Sequence, residues 1–518
     1  MNDFEQHIRE GYVCQGPSVV LGAGIWNGSV HPTARVHIPL RTMNRHGLVA
    51  GATGTGKTKT LQVLAEQLSQ NGVSVLMMDI KGDISGLAAP GTSNPKIEER
   101  HKLLDIPYRP WNAPVELLSI SGEKGVRLRA TVSEFGPVLL AKILQLNDTQ
   151  AGILGLLFKY ADDKQLPLLD LKDLRKLIQY SLDEGKNEIK EHYGLITTQS
   201  ASAVLRAITS LEQQGGDAFF GEPSFEVEDL VRIDEQGQGI ISILRLSDMQ
   251  DRPALFSTFM LCLLAELYQK FPEEGDAGQP KLCIFIDEAH LIFQEASKAL
   301  LQQLETVVKL IRSKGVGIFF CTQNPQDIPD SVLSQLGLKI QHALRAFTEK
   351  DRKAIKKASE NYPISAFYKT DELITALGIG EAFCTALNEK GIPTPLVHVM
   401  LRAPQTRMDV LAPVEIDTLV AQSKLAARYN TPVDRESAYE ILSAKLEAAA
   451  QEATEPQTEK TKDTASKKEK EEPGMLEKMS RNTMVRQVGN TVMREVTRGI
   501  LGVLGLKGSR SKRKSGWF

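Results

Sequence analysis

Apolar residues along this chain follow two alternating patterns, one typical of strands and one typical of helices. The stretch "HGLVAG" is a short apolar run that leads directly into glycines, and "VSVLMMD" is a second such run. Between them, "KTLQVLAEQLSQNG" repeats apolar residues at helical spacing from Leu61 to Leu68 and ends in a helix stop, Asn71 and Gly72. This order predicts a βαβ unit, and therefore a parallel sheet with helices on its faces.

Similar strand-like runs occur elsewhere in the chain. The stretch "VVLGAGIWNGSVHPTARVHIPL" predicts two short strands before the glycines. Further runs follow after residue 235, and helical patterns such as "ALLQQLETVVKLIRSKG" separate them. We therefore predict an open, mostly parallel α/β fold. The later strand-like runs are "GIISILRL", "KLCIFID", "GVGIFFCTQ", "LKIQHALRA" and "EAFCTALN".

These patterns divide most of the chain into five segments. We predict a short N-terminal β segment at 1–45, the first part of an α/β core at 46–91, a helical insertion at 92–235, the second part of the core at 236–405, and C-terminal helices at 406–450. The insertion could be a packed helical cap or a dedicated binding module. Its charges are mixed and no basic or aromatic cluster marks a nucleic-acid surface, which favours the cap.

The C-terminal end has a different composition. Residues 451–473 are rich in Glu, Lys and Thr with almost no apolar content, which predicts a disordered linker. Residues 474–518 form a basic amphipathic tail, with nine Lys or Arg and one acid from position 479 onward. Such a tail fits DNA, an anionic membrane surface or a partner groove, and it is also compatible with a solvated end that has no partner.

Charge and cysteine usage limit the classes of function. The net charge of −2 over 518 residues gives no global basic field, so any nucleic-acid site must be local. The five cysteines are odd in number and widely spaced, which fits neither a disulfide framework nor a CxxC metal site. We therefore expect a protein of the reducing cytoplasm.

The loop "GATGTGKT" is the first candidate for chemistry. It satisfies the pattern G-x-x-x-x-G-K-[ST] between a predicted strand and a predicted helix. Its backbone N–H groups can surround phosphate oxygens, Lys57 can reach the β and γ phosphates, and Thr58 can hold Mg²⁺. The alternative is a glycine-rich turn without a ligand. We predict that ATP binds through Gly51, Ala52, Thr53, Gly54, Thr55, Gly56, Lys57 and Thr58.

A pair of acidic residues is the second candidate. The apolar run "LCIFIDEAH" ends in Asp287 and Glu288. Asp287 can hold the Mg²⁺ shell from the strand end, and Glu288 can polarise a water beside the γ-phosphate. The alternative is a pair of charges favoured by a helix N-terminus. His290 completes the string "DEAH", which alone is weak evidence for a helicase of that name, and we expect a loop histidine.

Taken together, several motifs resemble one family. "GATGTGKT", "MMDIKGD", "FIDEAH", "KLIRSKGVGIFFCTQNPQDIP" and "GEAFCTALNEKGIPTPLVHV" are similar to the HerA/FtsK class of P-loop ATPases, closest to bacterial HerA-like proteins. The resemblance covers about residues 18–405, without the details of the insertion. It implies a RecA-like core of the additional-strand, catalytic-glutamate type that assembles as a hexameric ring.

The resemblance also implies roles for further residues. Gln323 is similar to the polar residue that senses the γ-phosphate, and Arg312 to an arginine that completes the neighbouring subunit's site. Arg45 resembles a second basic residue near the phosphates. Asp79 and Lys81 match a strand-end motif whose role is not assigned. Arg312 also has a simpler interpretation, because a cation in the last turn of any helix is favoured by the helix dipole.

We therefore expect an ATPase that works as a ring motor and translocates or remodels double-stranded DNA, with helicase activity included. A residue acting in trans and a phosphate sensor would couple the subunits. Two alternatives remain: a secretion or conjugation-like ATPase at the membrane, and a regulatory P-loop ATPase without translocation. A nuclease or another protein is an expected partner class, and the tail could instead contact a membrane surface.

Overall fold

The computed structural model describes residues 2–249, 252–275, 277–294, 298–346 and 348–454. These residues form one twelve-stranded sheet in the order β2-β1-β12-β11-β10-β3-β9-β8-β4-β7-β5-β6. The strands are β1 Ser18–Trp26, β2 Ser29–Pro39, β3 Gly47–Ala50, β4 Ser74–Asp79, β5 Val115–Ser119, β6 Val126–Arg127, β7 Ile241–Arg245, β8 Leu282–Ile286, β9 Val316–Thr322, β10 Leu338–Gln341, β11 Glu381–Thr385 and β12 Val397–Leu401.

Eighteen helices are present among the described residues, several of them single turns. They are α1 Asp3–Gly11, α2 Lys57–Gln70, α3 Pro95–Leu104, α4 Val132–Ile143, α5 Asp148–Asp163, α6 Leu171–Leu182, α7 Lys186–His192, α8 Thr198–Gln213, α9 Gly216–Phe219, α10 Pro253–Lys270, α11 His290–Gln294, α12 Lys298–Ile311, α13 Asp330–Leu333, α14 Glu349–Ser359, α15 Thr370–Leu373, α16 Pro413–Ala421, α17 Lys424–Tyr429 and α18 Ala438–Thr454.

The sheet has a parallel part and an antiparallel part. Strands β10, β3, β9, β8, β4, β7, β5 and β6 pair in parallel, which confirms the predicted mostly parallel core. The central strands β3, β4, β8 and β9 are buried along their whole length. Since both of their faces are covered, their sequences are continuous apolar runs and do not alternate with polar residues.

The N-terminal strands continue the same sheet. Strands β11, β12, β1 and β2 are antiparallel to their neighbours, and β1 pairs with β12. The two strands expected before the loop are therefore present. Helix α1 was not predicted; an Asn2 capping box begins it, and Phe4 and Ile8 are its buried residues.

By compactness the chain forms two units. Of the described residues, the first comprises 2–130 and 211–433, and the second comprises 131–210 with 434–454. In the second unit, the Ser437 hydroxyl donates to the buried Asp173 carboxylate at 2.5 Å, which ties the start of α18 to α6. The first unit contains the whole sheet and both parts of the predicted core.

The prediction of a helical insertion at 92–235 was wrong in its extent. Residues 115–119 form β5, which pairs in parallel with β7 inside the main sheet. The string "VELLS" is too short for its own periodicity to separate a strand from a helix, so the pairing with β7 decides its conformation. Residues 451–454 belong to α18, whereas the rest of the predicted linker and the whole basic tail lie outside the described residues.

Candidate nucleotide site

The glycine loop has a backbone that only glycine accommodates. Gly56 has a φ of 111° and Gly54 a φ of 78°, both in the left-handed region. At Gly51, a Cβ atom would lie 2.5 Å from the Cβ of His342, so a side chain cannot fit there. The loop follows β3 and leads into α2, as the sequence pattern predicts.

Helix α2 begins without a side-chain cap. Its N-cap is Gly56, which has no side chain to accept a hydrogen bond from the first turn. The first N–H groups of a helix have no partner within the helix and carry the positive end of its dipole. The start of α2 is therefore suited to bind an anion.

Lys57 is the buried cation of the loop. Its Nζ donates hydrogen bonds to the carbonyl oxygens of Gly51 at 2.7 Å and Ala52 at 3.1 Å. Burial lowers the pKa of Lys57, and the nearby charge of Lys81 lowers it further, while the carboxylates of Asp287 and Glu288 oppose the shift. Lys57 follows the loop after β3 and the two acidic residues follow β8, two strands away, so all three lie at the same edge of the sheet.

Thr58 contacts an acidic residue that sequence reasoning missed. Its Oγ1 donates to Oδ2 of Asp83 at 3.2 Å, and the buried Oδ1 of Asp83 has no hydrogen-bond partner among the described residues. Asp79, at the end of β4, accepts bonds from the backbone N–H groups of Gly82, Asp83 and Ile84 at 2.7, 3.1 and 3.3 Å. Asp79 thus shapes the turn that presents Asp83. Burial raises the pKa of Asp79 to about 7.

Asp287 and Glu288 follow β8 and are both buried. Burial raises the pKa of Asp287, and the charge of Lys81 counteracts that rise. Glu288 has a φ of 45°, a left-handed conformation that is strained for a residue with a side chain. Lys81 contacts both carboxylates: its Nζ lies 3.6 Å from Oδ2 of Asp287 and forms an ion pair with Oε1 of Glu288.

His290 lies beside Glu288 and begins helix α11. Its Nδ1 is 3.1 Å from the second Glu288 oxygen, Oε2, but the geometry is not that of an aligned hydrogen bond. The predicted loop histidine is therefore the first residue of a short helix.

The remaining predicted residues lie at two different edges of the sheet. Gln323 follows β9, which lies between β3 and β8, so it is at the same edge as the loop and the acidic pair; its side chain is exposed. Arg45 and Arg312 precede β3 and β9 and therefore lie at the opposite edge. The structure brings Gln323 to the site of its own chain but not the two arginines.

Arg45 and Arg312 instead line a basic cavity. This cavity has a volume of about 340 Å³, and among its described lining residues is the carboxylate Glu389, which accepts hydrogen bonds from the backbone N–H groups of Gln15 and Gly16. The four residues of β3 separate Arg45 from the phosphate loop of its own chain by about 13 Å, and its predicted role near the phosphates stays a prediction. The cationic residues of the cavity are Arg41, Arg45, Arg312 and Lys390.

Two buried histidines stabilise the elements that carry these groups. His46 accepts from the Ile318 N–H at 3.0 Å and its Nε2 lies 2.8 Å from the Val308 oxygen, while His342 Nε2 lies 2.9 Å from the Thr60 hydroxyl. Burial lowers the pKa of each imidazole to about 4. Both rings are therefore neutral in the folded protein at pH 7.

We expect acid to destabilise the protein through these histidines. Between pH 6.5 and 4 the unfolded chain binds more protons than the folded chain, so stability is complete above this window and is lost as the pH falls through it. From pH 7.5 to pH 5 the loss is about 2 kcal/mol per histidine. Urea unfolding of wild type and His46→Gln at both pH values should show a smaller pH effect in the variant. Equal pH effects would contradict the prediction.

The site fits a nucleoside triphosphate with Mg²⁺. Buried carboxylate oxygens of Asp83 and Asp287 have no hydrogen-bond partner among the described residues, and oxygen ligands of this kind suit Mg²⁺. The loop supplies left-handed glycines, an open helix start and a buried lysine. The residues that would hold the ligand are Lys57, Thr58, Asp83 and Asp287.

A phosphate loop after one parallel strand, with an acidic pair two strands away, defines a P-loop nucleotide-binding protein. The chain belongs to the helicase HerA-like C-terminal family, whose model matches residues 27–512. This confirms the family resemblance seen in the motifs.

Two archaeal proteins are similar to the chain over much of its length. Both are named DNA double-strand break repair helicase HerA. The one from Sulfolobus acidocaldarius is 22% identical over 335 residues, covering 63% of this chain and 60% of the relative. The one from Sulfurisphaera tokodaii is 23% identical over 351 residues, covering 67% and 63%. The match thus spans about three fifths of the length of these curated relatives.

Solved structures show the same fold. The bacterial conjugative coupling protein TrwBdeltaN70 superposes with a TM-score of 0.51 at 14% identity, covering 79% of this chain and 94% of that one. The plasmid coupling protein TrwB in complex with ADP and Mg²⁺ gives 0.50 at 16% identity, covering 78% and 94%. The predicted RecA-like P-loop fold is therefore confirmed. In the described part of the chain, no helix combines the length and apolar character needed to cross a bilayer.

Proposed function

We propose that this protein is an ATP-hydrolysing ring motor that translocates or remodels double-stranded DNA. The observation that carries the ATPase part is that Lys57 and Thr58, after β3, lie at the same edge of the sheet as the buried pair Asp287 and Glu288, after β8. The DNA part is supported by family membership and by the printed names of the two archaeal relatives.

The residues of the site would divide the work of hydrolysis. Lys57 and the loop N–H groups would bind and orient the phosphates, while Thr58, Asp83 and Asp287 would position Mg²⁺, directly or through water. Mg²⁺, when bound, neutralises phosphate charge. Glu288 would accept a proton from the attacking water, and Gln323 would contact the terminal phosphate. A metabolite kinase needs no such glutamate, which favours hydrolysis.

The ring assembly is supported by the basic cavity at the opposite edge. Arg312 makes no side-chain hydrogen bond or ion pair with any residue that the structure describes, and its side chain is exposed. In a closed ring of identical subunits, one edge of each subunit faces a different edge of the next. We propose that Arg312, with Arg45 beside it, contacts the nucleotide of the neighbouring subunit in a hexamer.

Double-stranded DNA should stimulate ATP turnover. A motor that moves along DNA couples hydrolysis to contact with its track, so we expect at least about a fivefold higher ATPase rate at saturating DNA, measured together with the native mass of the assembly. An ATPase rate unaffected by DNA at any concentration would favour the regulatory P-loop alternative.

The basic tail should provide part of the DNA affinity. Deleting residues 474–518 should leave basal ATPase unchanged, weaken DNA binding and flatten its salt dependence, because fewer counterions are released. A full-length variant in which glutamine replaces Lys512, Arg513 and Lys514 keeps the length of the tail and removes three positive charges. It therefore tests whether the tail's charge, and not its length, provides the DNA affinity. If the deletion instead releases the protein from anionic vesicles and leaves DNA binding unchanged, the membrane-associated alternative is favoured.

We also propose a cytoplasmic location. The five cysteines, all within the described residues, form no disulfide with one another: Cys14, Cys262, Cys283, Cys321 and Cys384. Free thiols persist in reducing compartments.

A further inference from the structure

Lys81 belongs to the strand-end motif, and the proposed mechanism gives it no role. It follows β4 and contacts both carboxylates of the acidic pair, Asp287 and Glu288. The three side chains differ in freedom: Lys81 is 33% exposed, whereas Asp287 is 2% and Glu288 8% exposed. Because the carboxylates are fixed at the end of a buried strand, Lys81 is the partner that is able to move.

Lys81 holds one of the two Glu288 oxygens in this arrangement. Oε1 forms an ion pair with Lys81, whereas Oε2 lies 3.1 Å from His290 Nδ1 without an aligned hydrogen bond. A carboxylate must offer an oxygen to water in order to accept its proton. The left-handed backbone of Glu288 indicates a conformation that its surroundings impose, and such strain is concentrated at functional and switching sites.

The turn that carries Lys81 is linked to the phosphate loop. Asp83, two residues further on, accepts the Thr58 hydroxyl, and Asp79 holds the backbone of the same turn through three N–H groups. Lys81 follows β4 and Lys57 follows the loop after β3, so both lie at the same edge of the parallel sheet. The Lys81 ammonium is therefore near the acidic pair and at the same edge as the lysine that would bind the phosphates.

We propose that Lys81 is a positioning residue that holds Glu288 in a resting arrangement and exchanges this carboxylate for the terminal phosphate of a bound nucleoside triphosphate. The inference rests on the proposed role of Glu288 as the base. In the resting protein the Lys81 charge compensates two buried carboxylates. When Lys81 transfers its hydrogen bond to the terminal phosphate, Glu288 becomes free to contact water. A diphosphate lacks that group, so Lys81 stays on Glu288.

The exchange has a measurable signature in binding affinity. In the proposed exchange, triphosphate binding must break the Lys81–Glu288 contact, and this cost lowers the affinity. Removing the Glu288 charge removes the cost and raises the affinity, but only when Lys81 is present. If the contact were static, Lys81 would instead screen the repulsion between Glu288 and phosphate. Removing the Glu288 charge would then improve affinity no more in protein that contains Lys81 than in protein that lacks it. The sign of the coupling between the two residues therefore separates the two cases.

The experiment is a double-mutant cycle on the Kd of a non-hydrolysable ATP analogue with Mg²⁺, repeated with ADP. Glu288→Gln should tighten analogue binding about tenfold with Lys81 present and at most about threefold in Lys81→Met. For ADP, Glu288→Gln should have the same effect on affinity with and without Lys81. Lys81→Arg keeps the charge, so in that background Glu288→Gln should still tighten analogue binding about tenfold. Lys81→Gln, which retains a hydrogen-bond donor beside Glu288, replaces Lys81→Met if that variant does not fold.

Two results would overturn the inference. If Glu288→Gln improves analogue affinity no more with Lys81 present than in Lys81→Met, the contact is static. If the Lys81-dependent improvement is as large for ADP as for the analogue, Lys81 does not distinguish the terminal phosphate. Either result leaves the proposed ATPase function intact. Full ATP turnover by Glu288→Gln, by contrast, would refute the role of Glu288 as the base and the exchange with it.

Discussion

Glu288→Gln should bind ATP and fail to hydrolyse it. Glutamine retains the size of the side chain but accepts no proton from water, so we expect turnover to fall by about 10²- to 10⁴-fold. The residues proposed to contact phosphate and Mg²⁺, Lys57, Thr58 and Asp287, are unchanged, so we expect nucleotide to stay bound. Lys57→Ala should differ, because it removes the buried cation of the loop and with it nucleotide binding.

Two measurements separate these variants. Equilibrium binding of labelled ATP reports the loss in Lys57→Ala, and single-turnover phosphate release reports the loss in Glu288→Gln. Glu10→Gln, an exposed glutamate on α1, and Lys102→Ala, an exposed lysine on α3, are controls expected to behave as wild type. Turnover of Glu288→Gln at the wild-type rate would refute the proposed base.

Mixing two inactive proteins should restore activity if Arg312 works across a subunit interface. Arg312→Ala retains an intact loop, and Lys57→Ala retains an intact arginine. In mixed rings, some interfaces combine a wild-type loop with a wild-type Arg312. Arginines supplied in trans contribute about 10³- to 10⁵-fold to turnover in other P-loop enzymes, so each parent should be nearly inactive and the mixture clearly active.

The control for this experiment lies in the same helix end. Lys309, in the last turn of α12, is exposed and also favoured by the helix dipole. If Arg312 serves only as a cation at this helix end, Lys309→Ala and Arg312→Ala should have the same mild effect. Failure of the mixture to recover activity at any ratio, with mixed rings demonstrated by native mass, would assign Arg312 to that simpler role.

The central part of the fold could be predicted from sequence because its signals are local. The glycine loop, the helix after it and the strand ending in Asp287 each combine an apolar pattern with its own stop signal. The two-residue strand β6 and the five-residue strand β5 could not, because runs this short depend on pairing with other strands: β6 pairs with β5, and β5 pairs with the distant β7. Helix α1 was missed although its capping box, Asn2 to Glu5, is present in the sequence.

The candidate site was only partly predictable, for a related reason. Two sequence motifs, each following a predicted strand, identify the central residues of the site, because residue type and spacing in each motif match its chemistry. These residues are Lys57, Thr58, Asp287 and Glu288. Asp83 lies in the string "DIKGD", but its contact with Thr58 depends on how the turn after β4 folds around Asp79. The ion pairs of Lys81 likewise join residues more than 200 positions apart, which no local pattern reveals.

Strand β3 joins the phosphate loop directly to the turn that carries Arg45. Its four residues are fully buried and pair on both sides, with β9 and β10. An insertion of one residue here would shift the loop by about 3.3 Å and reverse the faces of the side chains that follow. This segment therefore cannot accommodate a change in its length. Length changes that surface loops elsewhere in the chain could absorb would here alter the spacing between the two edges of the subunit.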